Sequence, residues 1–595
     1  MKLNSTKTYR KDIDGLRAVA VIAVIIFHFG SLPNGYLGVD IFFVISGYLI
    51  TGIIYREIND NRFSIVNFYL RRTRRIIPLS LFIILVSLSI GIVVMLPDDM
   101  ENLAQSVMAT NFFSNNILQA ITTKNYWNVA NEFKPLIHTW SLGVEEQYYL
   151  LYPLLFLLVG KRHRRLLLPI LIILTIISLI LYFLSFKEHE KFYFIPFRFF
   201  ELSLGGIAVI YLNHKLIVHR FSAIFVFGLV VILCIDLSFI PRQWLLLITV
   251  MLTLGVLVSS NDVSKISSFV LENKILVSIG LISFSLYMWH QVLLSYARYF
   301  VVQKLKTVDL LYISVLTILF SVTTYYVVER PFRDKERIKP SILLSILISL
   351  FLVTNISALY IYNNGGVVRD VPELDLKKGQ AERGVHAKYN ARILEYDKAF
   401  SSDSNNLKVL VIGNSFARDW VNVLLESKHK DGIDISYIYD PINHSDFYSR
   451  VKGADIIFYS TAKKTVVNKL GIDESKLFVI GTKNFGVNAG YFYNYSGKEY
   501  FKQRTLMEDG YLESNNKMKQ EWGASYIDYI SMIIDKDNTV PIFTPTKMFI
   551  SQDCRHFTKS GASYFAQLFE NELALILDGA IDRKRNRHQS HALGQ

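Results

Sequence analysis

Long apolar runs constrain this chain more than any other feature. Eleven of them, near 16–32, 39–56, 77–96, 147–160, 166–186, 194–213, 221–238, 243–259, 275–297, 308–328 and 341–362, reach or approach the length of about 20 residues that carries a helix across a bilayer. In hydrocarbon the backbone N–H and C=O groups must be bonded within the segment, so continuous runs of this kind fold as helices. After residue 363 the sequence becomes that of an ordinary soluble domain. A chain of 595 residues that is 51% hydrophobic and 19% charged is neither disordered nor fibrous. The expected fold is a polytopic all-α membrane domain, ten spans plus an eleventh linking span, followed by a three-layer α/β domain.

Charge sets the expected orientation. Lys and Arg number 64 against 50 Asp and Glu, a formal charge of +14. The basic residues gather in alternate loops: Arg56, Arg62, Arg71, Arg72, Arg74 and Arg75; Lys161, Arg162, Arg164 and Arg165; Arg330, Arg333, Lys335, Arg337 and Lys339. The positive-inside rule places these loops and the N-terminus in the cytoplasm, and an odd span count sends residues 363–595 outside. Topology therefore accounts for the basic balance, and no nucleic-acid partner is expected. The polar stretch Lys2–Asp14 runs into the first apolar segment without a small-residue cleavage pattern, so that helix is expected to stay. Cys234 and Cys554 fall in segments not expected to meet, and no histidine spacing suits a metal, so neither a disulfide nor a metal site is expected.

Several ionisable residues fall in or at the ends of the runs: Arg17, His28, Asp40, Arg198, Glu201, His290 and Glu329. Each costs about 2.5–3.5 kcal/mol on insertion scales, so such groups usually line a cavity or a pathway. For Asp40 and Glu329 snorkelling to the interface explains the position equally well. Arg17 and His28 are eleven residues apart, about three helical turns and roughly 16 Å of rise, so they share a helix face. That stripe suits an anionic ligand at the guanidinium and a proton-transfer group at the imidazole. A paired structural histidine gives the same spacing.

DGLRAVAVIAVIIFHF, GYLGVDIFFVISGYLI, FYLRRTRRIIP, HTWSLGVEEQYYLLYP, RFFELSLGG, SFSLYMWH and VERPFR follow one another over residues 9–335. In this order they resemble the membrane acyltransferase-3 family. The resemblance implies an integral membrane enzyme that takes an acyl group, usually acetyl, from a cytoplasmic acyl-CoA and modifies a cell-surface carbohydrate. The family's essential Arg and His fall on Arg17 and His28, and its Arg-x-x-Arg motif on Arg72 and Arg75. Arg71, Arg72, Arg74 and Arg75 at an inner boundary suit the phosphates of CoA, although a basic cluster before a span also simply sets orientation. Trp140 and Glu145 are expected together on the outer side, where an aromatic face and a carboxylate suit a sugar or a carrier.

In the outer part, LKVLVIGNSFARDWVNVLLES reads as a buried strand, a tight turn and a helix, with Ser415 at a nucleophile position. Strand-like runs follow at ADIIFYS and LFVIG, and PTKMFISQDCRHFTKSGASYFAQLFENELALIL carries Asp553 and His556 before a terminal helix. A Ser near the start with Asp-x-x-His near the end resembles the SGNH hydrolase family over about residues 405–580. The resemblance implies Ser415 as nucleophile, His556 as general base and Asp553 as the group that holds the imidazole. Asn414 stands where that family usually has Asp, and no Gly-x-Asn-Asp block is found. The backbone N–H of Ser415 is the safest oxyanion donor, and Gly481 and Asn484 of GTKNFG are the remaining source, with Asn484 equally readable as a turn residue.

The fusion resembles bacterial polysaccharide O-acetyltransferases. The implied divisions are 1–335 for the acyltransferase domain, 336–362 for the eleventh helix, 363–404 for a linker, 405–582 for the SGNH-like domain and 583–595 for a polar tail. The implied location is a bacterial inner membrane, with the C-terminal domain periplasmic. No permanently bound cofactor is expected; acetyl-CoA is the implied donor, and a polysaccharide or lipid-linked glycan the acceptor. Lipopolysaccharide O-antigen is the acceptor expected, with peptidoglycan, exopolysaccharide or a membrane-anchored esterase activity as alternatives.

Overall fold

The computed structural model describes residues 9–122, 129–159, 166–185, 187–212, 222–259, 269–301, 305–380, 385–402, 406–460, 462–495 and 497–592. The basic loop of Lys161, Arg162, Arg164 and Arg165 lies outside them. The chain divides into two compact units, one made mainly of the helices up to Leu359 and the other mainly of the residues from Tyr360 onward.

The first unit is helical throughout, and its apolar helices make the chain a multi-pass membrane protein. Seven helices among the described residues are long and apolar enough to cross a membrane, and an eighth is added if the bent pair Lys274–Leu281 and Ser283–Ala297 counts as one span. The eleven-run reading differs for physical reasons. Run 16–32 is the helix Lys11–His28, whose first two turns carry Lys11, Asp12, Asp14 and Arg17. Run 147–160 belongs to the helix Thr139–Val159, diluted by Glu145 and Glu146. Run 221–238 yields a short apolar helix, Ala223–Cys234.

Small residues set the close crossings. A Cβ on Gly47 would stand 1.7 Å from the Leu202 carbonyl oxygen, and one on Gly205 would stand 2.1 Å from that of Val44. Helices Gly38–Asn59 and Ile195–Ile207 therefore pack backbone to backbone. The same pair of helices brings Asp40 to Arg198, 158 residues away.

The second unit is built on a parallel sheet of β1 (Leu407–Ile412), β2 (Ile433–Ile438), β3 (Ile456–Ser460), β4 (Leu477–Ile480) and β6 (Tyr526–Ile527), in the order β2-β1-β3-β4-β6. β5 (Arg504–Leu506) and β7 (Thr539–Pro541) form a separate antiparallel pair. The inner strands β1, β3 and β4 are nearly continuous apolar runs because helices cover both faces, whereas the edge strand β2, Ile433–Ile438, carries Asp434 and Ser436. Trp420, Phe458, Tyr529, Phe565 and Phe569 fill one side, while Leu410, Ile412, Ile457, Val479 and Trp522 fill the other. A central strand followed directly by a helix leaves the intervening turn at the carboxyl edge of the sheet, where α/β folds hold their ligands.

Candidate functional site

In the helical unit two cavities lie along the first helix. One, of about 90 Å³, is lined by Arg17, Arg72, Arg75, Ser46, Glu145, Tyr149, Ser141 and Tyr287 among others. The basic cluster before the third span separates here into two pairs. Arg72 and Arg75 face the cavity. Arg71 pairs with Glu57 at 2.9 Å, and Arg74 donates to the carbonyl oxygens of Phe332 and Ile338 at 3.0 and 2.7 Å. Helical spacing makes the division, since residues three apart share a face. Arg72 Nε is buried without a hydrogen-bond partner among the described residues. Glu145, expected beside Trp140, lies in this cavity instead, where it accepts from Ser46 at 2.9 Å and Tyr149 at 3.2 Å.

The second cavity, of about 400 Å³, is lined by His28, Tyr36, Asp40, Trp140, Tyr182 and Arg198 among others, and shares Val39 with the first. His28 Nδ1 lies 2.8 Å from the Val24 carbonyl oxygen. A carbonyl only accepts, so Nδ1 carries a proton. Arg198 Nη1 stands 2.7 Å from both Asp40 and Glu201, all three buried, with Trp140 and Phe192 rings 5.8 and 5.3 Å from the guanidinium carbon. Asp40 is therefore one side of a buried ion cluster and does not snorkel. Glu329 is likewise buried, accepting from Ser285 at 2.9 Å and Arg333 at 3.0 Å.

In the α/β unit, β1 ends at Ile412 and the chain turns through Gly413, whose φ of +121° only glycine adopts freely. A Cβ there would also stand 2.3 Å from Ser460 Oγ. Asn414 then caps the helix Ser415–Glu426 by accepting from the Phe416 N–H at 3.0 Å, and it accepts from Ser460 at 3.1 Å. This cap explains the asparagine at the usual aspartate position, since both side chains accept from a helix N-terminus. Ser415 thus sits at the first helical position, where backbone N–H groups are unpaired and aimed outward.

Asp553 and His556 occupy one tight turn. Asp553 accepts from the backbone N–H of Arg555 at 3.0 Å and of His556 at 2.8 Å, while His556 Nδ1 lies 2.6 Å from its other carboxylate oxygen. Burial pushes the Asp553 carboxyl up, but the bonds from the His556 ring and backbone prevail and hold it well below the usual carboxylate range. His556 is thereby fixed with Nε2 as the accepting atom. The ring of Phe416, next to Ser415, has its centre 6.3 Å from that of His556. Among the described residues Ser415 Oγ and His556 form no direct hydrogen bond, which suits a site that tightens on its substrate.

Behind these residues stands a brace that sequence reasoning missed. Asp419, one turn along the Ser415 helix and fully buried, accepts from the Phe557 N–H at 3.2 Å and pairs with Lys483 Nζ at 2.7 Å. The Lys483 ammonium lies 3.9 Å from the Phe416 ring centre and 4.7 Å from that of Phe557. One buried ion pair thus ties the neighbour of Ser415 to the neighbour of His556. Burial pushes the Lys483 pKa down against the pull of Asp419. Asn484 is spent on the adjoining loop: its Oδ1 accepts from the N–H groups of Gly486 at 2.9 Å and Glu508 at 2.8 Å, and its amide nitrogen is 3.4 Å from Glu508.

A family profile described as an acyltransferase domain matches residues 10–327, more than half of the chain. The chain belongs to the acyltransferase-3 family. It is an acyltransferase, and the C-terminal parallel α/β domain is the kind of partner module its sequence resemblance implies. Its relatives include a Staphylococcus aureus (strain MSSA476) protein described as a "putative O-acetyltransferase", 29% identical over 472 residues that cover 72% of this chain and 77% of that one. The O-acetyltransferase OatA of Staphylococcus aureus is 32% identical over 352 residues, covering 55% of this chain and 58% of its own. No solved structure matches.

Proposed function

We propose that this protein moves an acetyl group from cytoplasmic acetyl-CoA to a hydroxyl of a cell-envelope polysaccharide. The observation that carries the reading is the first helix, which puts Arg17 into the arginine cavity and His28 into the larger one. Three guanidiniums, from Arg17, Arg72 and Arg75, supply the positive charge that a phosphate-bearing donor requires. His28 Nε2 is the base for the attacking hydroxyl, and Arg198 with Trp140 gives the larger cavity a polar and aromatic wall suited to a sugar or carrier. Glu145, with its carboxylate held by Ser46 and Tyr149, belongs with the donor.

The acyl group then passes to Ser415 as an ester. His556, held by Asp553, takes the serine proton in that step and the acceptor proton in the next, and the Ser415 backbone N–H donates to the oxyanion. The names of the relatives support O-acetyl transfer as the direction of reaction. In this reading the protein is a multi-pass protein of a bacterial cytoplasmic membrane, with the arginine cavity toward the cytoplasm and the α/β unit outside.

The test is mass spectrometry of envelope polysaccharides from cells with and without this gene, complemented separately by His28→Ala and Ser415→Ala. An acetyl increment lost from one polymer in the deletion and in both variants supports the reading, and it separates O-antigen, peptidoglycan and exopolysaccharide as acceptor. Acetylation that rises in the deletion shows an esterase instead. Full acetylation with Ser415→Ala removes the serine ester from the route.

A further inference from the structure

The two cavities of the helical unit are joined by a line of aromatic and imidazole rings. The rings of His28 and His290 have centres 5.1 Å apart, and His138 lies 5.6 Å from His290. Tyr287 stands 5.4 Å from His290, and its hydroxyl is 2.7 Å from that of Ser141. Tyr287 and Ser141 line the arginine cavity, whereas His28 lines the larger one.

His290 is fully buried, and its Nδ1 lies 2.6 Å from the Tyr287 carbonyl oxygen. Nδ1 therefore carries the proton and Nε2 is a bare acceptor, buried with no hydrogen-bond partner among the described residues. Leaving such a nitrogen unmet is unfavourable, because it has given up its hydrogen bond to water. A proton arriving from a neighbour satisfies it. His28, with its Nδ1 proton likewise held by a carbonyl, that of Val24, is the imidazole in ring contact from another helix.

The geometry points to His290 as a positioning residue that holds the proton collected by His28 during acyl transfer. The inference rests on His28 acting as the base. The acceptor hydroxyl loses its proton to His28 Nε2 as its oxygen attacks the thioester carbonyl, so a C–O bond forms and the C–S bond breaks. The proton is shared with His290 Nε2 and then returns to the thiolate sulfur, so CoA leaves as the thiol and both imidazoles end neutral.

The test uses the full chain, purified and given acetyl-CoA together with envelope polysaccharide as the hydroxyl acceptor, with release of free thiol as the readout. His290→Asn keeps a donor at the Nδ1 position and removes Nε2; His290→Gln places a polar atom near Nε2 but cannot carry a proton through. Both are expected to lose about 10²-fold in kcat with KM for acetyl-CoA within about twofold, a size typical of general acid–base groups. His290→Gly is expected to regain turnover when imidazole is added. A wild-type rate in His290→Asn, or no rescue of His290→Gly, overturns the inference. Unchanged turnover in His28→Ala instead overturns the reading of His28 itself, so the two failures are distinguishable.

Discussion

The helical unit gathers Asp40, Arg198 and Glu201 from two helices and shuts them away from water, with side-chain exposures of 2%, 4% and 0%. The α/β unit sets Asp553 and His556 in a single turn at the edge of a sheet, with exposures of 48% and 28%. In hydrocarbon a charge must find its counter-charge within the protein, so removing one member is first an insult to the fold. At the edge of a sheet, water and backbone N–H groups share that task, so removing a member is first an insult to the chemistry. Substitutions in the two units should therefore separate activity from stability in opposite senses.

The largest expected effect is in the α/β unit. Ser415→Ala and His556→Ala should each lower acetyl transfer to polysaccharide by about 10⁴-fold or more, with the thermal midpoint of the purified chain unchanged. A midpoint that falls sharply in Ser415→Ala would break the contrast. Asp553→Asn should follow at about 10⁴-fold, since the amide favours the wrong tautomer of the imidazole that the carboxylate fixes. The sign with pH is set by the depressed Asp553 pKa. Its contribution to stability is present above the unfolded carboxylate value of about 4 and disappears as pH falls through the lower folded value. Acid unfolding of the wild type should be steeper than that of Asp553→Asn in that window, as circular dichroism against pH can read.

Next come the buried ion pairs, where the comparison sharpens. Arg198→Leu leaves Asp40 and Glu201 facing each other and should cost about 3–5 kcal/mol, read as loss of folded protein in detergent. Lys483→Met should cost about as much in the α/β unit, because Asp419 is then buried and alone; the double variant with Asp419→Leu should recover most of it. Lys483 and Asp419 are where the soluble unit adopts the logic of the membrane unit. If Lys483→Met costs only a few tenths of a kcal/mol, as exposed pairs do, the brace is not holding the turn.

Within the arginine cluster the prediction is a split. Arg72→Lys should raise KM for acetyl-CoA about tenfold, because an ammonium cannot replace the guanidinium fork against a phosphate. Arg74→Lys should leave KM alone and lower stability instead, since Arg74 is spent on the carbonyl oxygens of Phe332 and Ile338. Equal effects on KM would mean that the cluster acts as diffuse charge.

What the sequence made legible follows the same division. The turn carrying Ser415 and the turn carrying Asp553 and His556 are local, so strand context and a three-residue spacing sufficed to find them. Asp419 and Lys483 are 64 positions apart and look like any surface charges until the fold buries them. In the helical unit the apolar runs located most helices that carry the cavities but not the short polar helix Glu188–Tyr193, which lines the larger one, and charged residues within Lys11–His28 and Thr139–Val159 make a count of spans ambiguous. Trp140 and Glu145 are five residues apart, more than one helical turn, so they face different cavities; proximity in sequence had placed them together. Asp40 could not be told from a snorkelling residue until Arg198 was brought to 2.7 Å.

The smallest effect tests how far support for the nucleophile turn extends. Tyr437 on β2 donates its hydroxyl to the Gly413 carbonyl oxygen at 3.0 Å, just before Asn414 and Ser415. Its ring is buried in the sheet, so Tyr437→Phe keeps the packing and removes one hydrogen bond. The expected cost is about 1 kcal/mol in stability. If the turn is held by the Gly413 N–H bond to the Ile438 carbonyl oxygen and by the Ser460 bond to Asn414, transfer should stay within about twofold of wild type, because those restraints remain. A loss of tenfold or more, about 1.4 kcal/mol in the barrier, would mean that this one hydroxyl sets the position of Ser415. The α/β site would then depend on buried polar contacts as closely as the membrane unit does.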